Sequence, residues 1–317
     1  MSMAPISSNR TFKVSVGPEI QIAGSWNWVG KDLIDSLNES QHFESFPFQN
    51  NLPECDVCVF VKWMPDLATL QELSKHSAIV FCPIDIYGSG AEIDADWERL
   101  RCCNRIIVHA VELEKYFRGY AKTTFLDHHL KFITSTRETF QESGPILWTG
   151  IWANLPPVVN WVNHFGLPDE LVILTNFNGH QSRSPSDFGF KSSENIRIEE
   201  WSEQRHVEFL KTARTAIDIK GNDFRQRHKP PAKALDFISS GIPLAMNSDS
   251  SPVRYLRTIG FEIPEPDQTD YWFSREYWEK TYEFGLKMST QLPRLRIMNQ
   301  WREILLKSIS EQGERYK

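Results

Sequence analysis

Residues 57–82 read VCVFVKWMPDLATLQELSKHSAIVFC, and this stretch indicates the fold class. It contains an apolar run at residues 57–61, a helical pattern at residues 67–75 and a second apolar run at residues 78–82. Short runs rich in Val, Ile and Phe that alternate with amphipathic stretches are typical of βα units, whose strands pair in parallel. The stretch therefore predicts a β-strand, a crossover helix and a second, parallel β-strand.

The same alternation occurs in both halves of the chain, so we predict two doubly wound α/β layers. Strands in the first half are predicted at residues 19–23, 57–61, 78–82, 105–108 and 123–126. Strands in the second half are predicted at residues 145–148, 171–175, 195–198, 215–219, 242–246 and 261–263. The polar segment 135–144 separates the halves. The predicted domains are therefore residues 1–140 and residues 141–317, and the second ends in long helices over residues 274–306.

The composition limits the class of protein. The chain has 317 residues, of which 40% are hydrophobic and 24% charged, with 16 Gly and 18 Pro. At about 150 residues per domain this length predicts two domains, and the composition excludes disordered, collagen-like and disulfide-scaffold proteins. The formal net charge of -6 gives no electrostatic reason to bind a nucleic-acid backbone. We therefore expect a soluble globular protein with no nucleic-acid partner.

The cysteines and the N-terminal residues favour a cytoplasmic location. Five Cys residues, an odd number, are spread through apolar segments, which favours buried thiols over disulfides or a CxxC metal site at Cys55 and Cys58. Residues 1–10 are polar and lack the apolar stretch and cleavage site of a signal peptide. The apolar runs of four to six residues are too short to span a bilayer, which takes about 20. We expect no transmembrane segment, and any membrane contact would be peripheral.

Polar residues that follow the predicted strands are candidate site residues, because open parallel sheets bind ligands beyond the carboxyl ends of their strands. Asp85 follows the strand at residues 78–82 and is a candidate general base for an attacking hydroxyl. A turn or helix cap explains Asp85 equally well. His109 and His128 also follow strands, but a histidine in such a position is more often structural. The loop at residues 24–30 lacks the GxGxxG spacing of a dinucleotide site.

A basic stretch lies in the second half of the chain. Residues 221–233 read GNDFRQRHKPPAK, with four Arg or Lys residues against a single acid. The Pro-Pro pair predicts a helix start, whose free N–H groups and dipole favour an anion beside Lys229 and Lys233. The stretch predicts a diphosphate site, and a solvated basic face is the alternative. Asp236, three residues after Lys233, lies on a neighbouring part of this helix, where its carboxylate can accept hydrogen bonds from a ribose diol.

The run at residues 229–243, KPPAKALDFISSGIP, resembles the donor-binding stretch of GT-B glycosyltransferases of the family 1 and family 4 type. The resemblance rests on a basic lead-in, a Lys and an acid on one helix, and Gly-x-Pro before the next strand. It implies two Rossmann-like domains facing a cleft, with a helical C-terminal tail that crosses back. It also implies transfer of a sugar from a nucleotide-sugar co-substrate to an acceptor hydroxyl, without a metal or another cofactor, as in polysaccharide or glycoconjugate synthesis.

The resemblance also implies roles for particular residues. The implied donor-binding residues are Gly150, Arg225, Lys229, Lys233 and Asp236. The three cations would neutralise the leaving diphosphate as the glycosidic bond breaks, and Asp236 would hold the ribose. Asp85 falls at the strand end where many proteins of this fold have their catalytic base.

Three departures from the family pattern leave alternatives open. His228 stands where many relatives have an acid eight residues before the ribose-binding acid, and that second acid is Asp236 rather than Glu. The loop at residues 150–154 has no Arg or Lys, and a first domain of 140 residues is short. The sequence leaves three functions open, in this order: a glycosyltransferase, a non-catalytic nucleotide- or sugar-binding protein, and a nucleotide-sugar epimerase.

Overall fold

The computed structural model describes residues 10–20, 24–133, 135–177 and 184–315. These residues form two compact units. The first unit holds the described residues up to His129 together with those from Arg294 onward, and the second holds the described residues from Leu130 to Pro293. Each unit contains one parallel β-sheet and several helices, which confirms the predicted α/β class.

Six strands make up the sheet of the first unit: β1 (Phe12–Gly17), β2 (Phe43–Pro47), β3 (Val57–Val61), β4 (Ala78–Cys82), β5 (Arg105–Val108) and β6 (Lys122–Phe125). All pairs are parallel, in the order β2-β1-β3-β4-β5-β6. β3 and β4 are buried along their whole length, as their unbroken apolar runs predict. The strand order reverses between β1 and β3, which is the arrangement of a doubly wound sheet.

Short helices connect these strands. They are α1 (Asp32–Asn38), α2 (Leu67–Leu73), α3 (Gly90–Ala95), α4 (Trp97–Cys102) and α5 (Glu114–Phe117), with a π-helical segment at Trp26–Lys31 and a 3-10 turn at Val111–Leu113. The π-helical segment needs Gly30, because a Cβ at that position would lie 2.2 Å from the Trp26 ring. α2 begins after Asp66, whose side chain accepts a hydrogen bond from the Thr69 backbone N–H at 2.9 Å.

Five strands make up the sheet of the second unit: β7 (Ile146–Thr149), β8 (Leu171–Thr175), β9 (Ile196–Glu200), β10 (Thr215–Ile217) and β11 (Leu244–Ala245). They are parallel and lie in the order β11-β10-β7-β8-β9. β7, β8 and β10 are buried throughout, whereas β9 lies at the edge and is partly exposed. The chain adds β8 and β9 on one side of β7 and then β10 and β11 on the other, as in a Rossmann-like sheet.

The helices of the second unit are α6 (Pro156–Phe165), α7 (Glu203–Thr212), α8 (Phe224–Arg227), α9 (Ala232–Ser239), α10 (Ser251–Thr258), α11 (Thr269–Trp272) and α12 (Arg275–Gln291), with 3-10 turns at Trp152–Asn154 and Pro185–Phe188. α12 packs closely on α9 at Gly285, where a Cβ would lie 2.4 Å from the Ile238 carbonyl oxygen. At the start of α12, the Tyr277 hydroxyl donates to the Leu244 carbonyl at 2.9 Å. These contacts hold α9 and β11 against α12.

The last helix, α13 (Arg294–Arg315), belongs to the first unit. It packs against α1, β3 and β4, and its Trp301 and Leu305 side chains are buried there. The Asn104 amide also donates to Gln312 Oε1 at 2.9 Å. The C-terminal helix thus returns to the unit that contains the N-terminal sheet, as predicted. Among the described residues, neither this helix nor any other is long and apolar enough to cross a membrane.

The structure differs from the predicted strands at the N-terminus. The sequence predicts the first strand at residues 19–23, but β1 is Phe12–Gly17, residues 19–20 lie in no strand, and residues 21–23 lie outside the described residues. Lys13 and Ser15 interrupt the apolar pattern of β1, although Ser15 is fully buried in the sheet. The predicted strand at residues 261–263 is also wrong, because these residues lie in no strand. The Phe261 ring stacks on Phe284 of α12, with ring centroids 4.5 Å apart.

Candidate functional site

The sheet of the second unit reverses its order between β7 and β10, and open α/β sheets bind ligands at such a switch point. β7 ends at Thr149 and is followed by Gly150, whereas β10 ends at Ile217 and is followed by Asp218. α9 follows β10 along the chain and has Lys233 in its first turn. The candidate site consists of the residues at this edge of the sheet.

Asp218, Lys220 and Lys233 form the centre of the site, and we call them the lysine–aspartate cluster. Lys220 Nζ donates to Asp218 Oδ2 at 2.6 Å, and Lys233 Nζ donates to Asp218 Oδ1 at 3.2 Å. The side chains of Asp218 and Lys220 are 4% and 8% exposed, whereas that of Lys233 is 24% exposed. Because two ammonium groups share one carboxylate, the fully ionised cluster carries an excess positive charge.

The pKa values in the cluster reflect this excess of cations. Burial lowers the pKa of Lys233 to about 8; Asp218 opposes that shift, and the charges of Lys220 and Lys229 add to it. Burial alone would raise the pKa of Asp218, but Lys220 and Lys233 outweigh burial and hold that pKa below its usual range. Lys220 and Lys229 disfavour the positive charge of Lys233, so an anion at this edge would stabilise that charge.

Gly150 lies against the ammonium group of Lys233. A Cβ on Gly150 would lie 3.2 Å from Lys233 Nζ and 3.0 Å from the Trp148 ring, so a side chain here would be tightly packed against both groups. The Trp148 ring is buried and its centroid lies 5.1 Å from Lys233 Nζ, in a cation–π contact. The structure therefore brings the predicted site residues Gly150 and Lys233 together.

α9 begins directly after the Pro-Pro pair, within a residue of the predicted start. Ala232 is its first residue, so Lys233 lies in the first turn, beside the end of β10. Lys229 precedes the helix, and its charge contributes to the lowered pKa of Lys233. Lys229 is therefore close enough for its charge to act on Lys233.

The two arginines of the basic stretch have other surroundings. Both lie on α8. Arg227 is ion-paired with Asp249 and donates to the Asn222 side chain at 2.5 Å. Arg225 is exposed, and within the described residues its side chain has no hydrogen bond or ion pair, including with the lysine–aspartate cluster. Arg225 is thus not brought to the cluster.

Asp236 lies one turn beyond Lys233 on α9 and is buried, at 2% exposed. Its Oδ1 accepts a hydrogen bond from the Lys131 backbone N–H at 3.4 Å. Burial raises the pKa of Asp236 to about 7, and the Lys131 amide and charge offset this only in part. The carboxyl group therefore lies beneath the segment that contains Lys131.

Asp85 belongs to the first unit and follows β4, as predicted. Its φ is 54°, in the left-handed region that residues other than glycine rarely adopt. Lys62, which follows the adjacent strand β3, has a φ of 69° and donates from Nζ to the Ile84 carbonyl at 3.0 Å. Left-handed residues therefore follow two neighbouring strands, and such backbone conformations are concentrated at functional sites.

Histidines that follow β5 and β6 form a second buried polar group in the first unit. His109 Nδ1 lies 2.7 Å from the Leu126 carbonyl oxygen, and the His109 and His128 rings stack with centroids 4.1 Å apart. His129 Nε2 lies 3.0 Å from Asp32 Oδ2. Burial lowers the pKa of His109 to about 4 and that of His128 well below its usual range. The first two rings are therefore neutral near pH 7.

Sequence reasoning missed Asp218 and Lys220. Both lie near or beyond the end of β10, which the sequence predicts at residues 215–219 and which the structure ends at Ile217. The signal that could have found them is an acid and a lysine two residues apart at the end of an apolar run, the position that Asp85 and His109 have after their own strands.

Within the described part of the chain, no three His, Cys, Asp or Glu side chains are grouped so that they could hold a metal ion. Cys55 and Cys58, which have CxxC spacing, are buried free thiols of the first unit. Cys55 Sγ lies 3.9 Å from the hydroxyl oxygen of Ser77.

No protein-family model matches the sequence, and no curated protein sequence is significantly similar to it. Solved structures do match. The chain is similar to AviGT4, described as a glycosyltransferase involved in avilamycin A biosynthesis, with a TM-score of 0.60 at 10% identity over 95% of this chain and 98% of that chain. It is also similar to a chain of the GtfA/B complex, with a TM-score of 0.50 at 10% identity over 80% of this chain and 57% of that one.

A third similar structure is of the accessory secretory proteins 1, 2 and 3 of Streptococcus pneumoniae, with a TM-score of 0.52 at 12% identity over 84% of this chain and 55% of that one. At such identities the likeness concerns the fold alone. The parallel six-stranded and five-stranded sheets, the returning C-terminal helix and this likeness together show that the chain has the GT-B fold of glycosyltransferases.

Proposed function

We propose that the protein is a glycosyltransferase that moves a sugar from a nucleotide-sugar donor to an acceptor hydroxyl. The observation that carries the proposal is the pair of ammonium groups, Lys220 and Lys233, that share the Asp218 carboxylate at the switch point of the second sheet. A diphosphate suits this site, because it would neutralise the excess positive charge. The likeness in fold to AviGT4 supports the same class of activity.

The cluster would act on the leaving group. As the bond between the sugar and the diphosphate breaks, negative charge grows on the phosphate oxygens. Ammonium groups already held in place by Asp218 stabilise that charge without reorganising, which lowers the barrier. Lys229 and Arg225 would add to the positive field, Arg225 only if its exposed side chain turns toward the donor.

Asp236 would hold the ribose, provided that its buried carboxyl group becomes accessible. Its carboxyl group is 2% exposed and covered by the backbone of Lys131, so a ribose would reach it only after that segment moved. The carboxyl group would then leave its buried surroundings, and its pKa would fall toward the usual range of an aspartate.

Asp85 would be the catalytic base. In this step the acceptor oxygen forms a bond with the sugar carbon, the bond to the diphosphate breaks, and the acceptor proton passes to the Asp85 carboxylate. The left-handed backbone of Asp85, in the turn that follows β4, supports this role because such conformations are concentrated at functional sites. We also propose a cytoplasmic location, which fits the four buried cysteine thiols.

Binding is tested with nucleoside diphosphates and inorganic pyrophosphate. A thermal-shift panel of UDP, GDP, ADP, CDP and dTDP should show one or more that stabilise the protein, by about 2.7 kcal/mol at 100 times the dissociation constant. Lys233→Met, which keeps the side-chain volume, should weaken binding by about 1 to 3 kcal/mol, the range for a charged hydrogen-bond partner. Lys211→Met, at an exposed position of α7 in the same unit, is the matched control.

Turnover separates the enzyme from its main alternative, a non-catalytic nucleotide- or sugar-binding protein with the same fold. One observation favours that alternative: the loop that follows β7, GIWAN at residues 150–154, has no Arg or Lys for the diphosphate. The assay measures nucleoside diphosphate released from the sugar conjugate that binds, with water and with a set of hydroxyl acceptors. A donor that binds at the cluster and is never consumed would contradict the glycosyltransferase proposal and leave the binding protein.

A further inference from the structure

His206 lies in the first half of α7 and is 4% exposed. Its Nδ1 accepts a hydrogen bond from the indole N–H of Trp201 at 3.4 Å. An indole nitrogen can only donate, so the neutral His206 ring carries its hydrogen on Nε2. Within the described residues this Nε2–H has no hydrogen-bond partner, although it is shielded from solvent. A buried donor without an acceptor destabilises the folded state, so it calls for an explanation.

The imidazole of His206 lies near Lys233. α7 follows β9 and α9 follows β10, so both helices begin at the carboxyl edge of the same sheet. The His206 ring lies 6.4 Å from that of Phe237, and Phe237 is one turn beyond Lys233 on the same side of α9. Burial and, to a smaller extent, the Lys233 charge lower the pKa of His206 to about 4, so the ring is neutral near pH 7.

The polar groups around Lys233 are mostly donors. Lys233 offers N–H groups, His206 offers Nε2–H, and the buried Trp148 ring beneath Lys233 has an indole N–H that also lacks a partner in the described chain. None of these three groups can accept a hydrogen bond in the form present near pH 7. A ligand that satisfies them must supply acceptor oxygens only, and a phosphate group does so with a charge that Lys233 favours.

We propose that His206 donates a hydrogen bond from Nε2 to an oxygen of the phosphate group that Lys233 binds. This inference rests on the proposed donor site and adds to it a neutral donor from α7. The Phe132 and His206 ring centroids lie 4.7 Å apart, so we expect the Phe132 ring to shift when a phosphate reaches Nε2. Trp201 acts as a positioning residue, because its indole N–H fixes the tautomer of His206.

Titration with inorganic pyrophosphate, followed by calorimetry, tests the contact without assuming a nucleotide base. His206→Phe removes the donor and should weaken pyrophosphate binding about tenfold or more. His206→Gln keeps an N–H donor and should retain most of the affinity. His164→Phe, at an exposed histidine of α6 in the same unit, should bind like the unmodified protein. Equal binding by His206→Phe and the unmodified protein, with binding lost in Lys233→Met, would overturn the inference and leave the donor site intact.

A measurement on the unmodified protein covers the case in which His206→Phe does not fold. Long-range proton–nitrogen NMR of the histidine rings should show His206 with its hydrogen on Nε2, and pyrophosphate should shift that N–H signal downfield. In Trp201→Phe the tautomer should become mixed and the affinity should fall less than in His206→Phe. An Nε2–H signal that pyrophosphate binding leaves unmoved would overturn the inference. A protein that binds neither pyrophosphate nor any nucleoside diphosphate would instead contradict the proposed donor site.

Discussion

Asp218→Asn should destabilise the second unit strongly. The substitution keeps the shape of the side chain but removes the negative charge that Lys220 and Lys233 share at 2.6 and 3.2 Å. Lys220 is almost fully buried, so its ammonium group would lose its counter-charge, and removing one partner of a buried ion pair costs about 3 to 5 kcal/mol. Lys233 is partly exposed and adds less. We expect a loss of about 3 kcal/mol, or about 6 to 12 °C in Tm for a unit of this size.

The assay is chemical and thermal unfolding followed by tryptophan fluorescence, with Asp267→Asn, an exposed aspartate of the same unit, as the control. The double variant Asp218→Asn with Lys233→Met should recover part of the loss, because it removes one of the two unpaired cations. The two positions should therefore be coupled by about 0.5 to 3 kcal/mol in a double-mutant cycle. If Asp218→Asn costs no more than Asp267→Asn, or if the effects of Asp218→Asn and Lys233→Met simply add, Asp218 does not neutralise the two lysines of the cluster.

Three further predictions concern single residues. The pKa of His109 is about 4 in the folded protein and higher in the unfolded state, so the unfolded state binds more protons between about pH 4 and 6.5. The first unit should therefore lose stability as the pH falls through that range, and the loss should be less steep in His109→Phe. Urea unfolding at several pH values measures both. The pKa of Asp236 is about 7, so the folded state binds more protons between about pH 4 and 7. Stability should fall as the pH rises through that window, and Asp236→Asn should be more stable than the unmodified protein at pH 8. A less stable variant would contradict the cost of ionising this buried carboxyl group. Asp85→Asn should lower kcat about 100-fold or more without changing the affinity for the nucleoside diphosphate, and an unchanged kcat would remove Asp85 as the base.

The sequence predicted the central strands well and the site only in part. β3 and β4 are unbroken apolar runs, and both have the predicted bounds because strands buried on both faces carry no competing pattern. β1 was missed because its interior includes Ser15, a polar residue buried in the sheet. The sequence did not identify Asp218 as a site residue, for a related reason. It follows the apolar run of β10 without a turn residue, so the sequence predicts a strand that continues through it.

The basic stretch shows why spacing alone cannot assemble a site. Its arginines and lysines are neighbours along the chain, but the chain turns between α8 and α9 at the Pro-Pro pair. Arg227 is ion-paired with Asp249. Lys233 instead lies in the first turn of α9, and its ammonium group donates to Asp218, which follows β10. Asp218, which contacts Lys233 but not Arg227, is 15 residues from Lys233 along the chain, so no local sequence pattern reveals this contact.

The electrostatics of the lysine–aspartate cluster lead to a final prediction about proton uptake. Near pH 8 about half of the Lys233 side chains are neutral, because burial and the neighbouring lysines lower its pKa to about 8. A bound diphosphate supplies the missing negative charge and should raise that pKa toward its usual value, so binding near pH 8 should take up as much as about half a proton. Calorimetry in two buffers with different ionisation enthalpies measures this uptake, and a nucleoside diphosphate is the suitable probe because its phosphates are already ionised at that pH. Lys233→Met should bind without uptake, whereas equal uptake by both proteins would place the titrating group elsewhere. Two lysines that repel each other lower the stability of the free protein, so part of the binding free energy of the anion comes from relieving that repulsion. The charges that lower the stability of the fold are therefore the same charges that favour an anionic ligand.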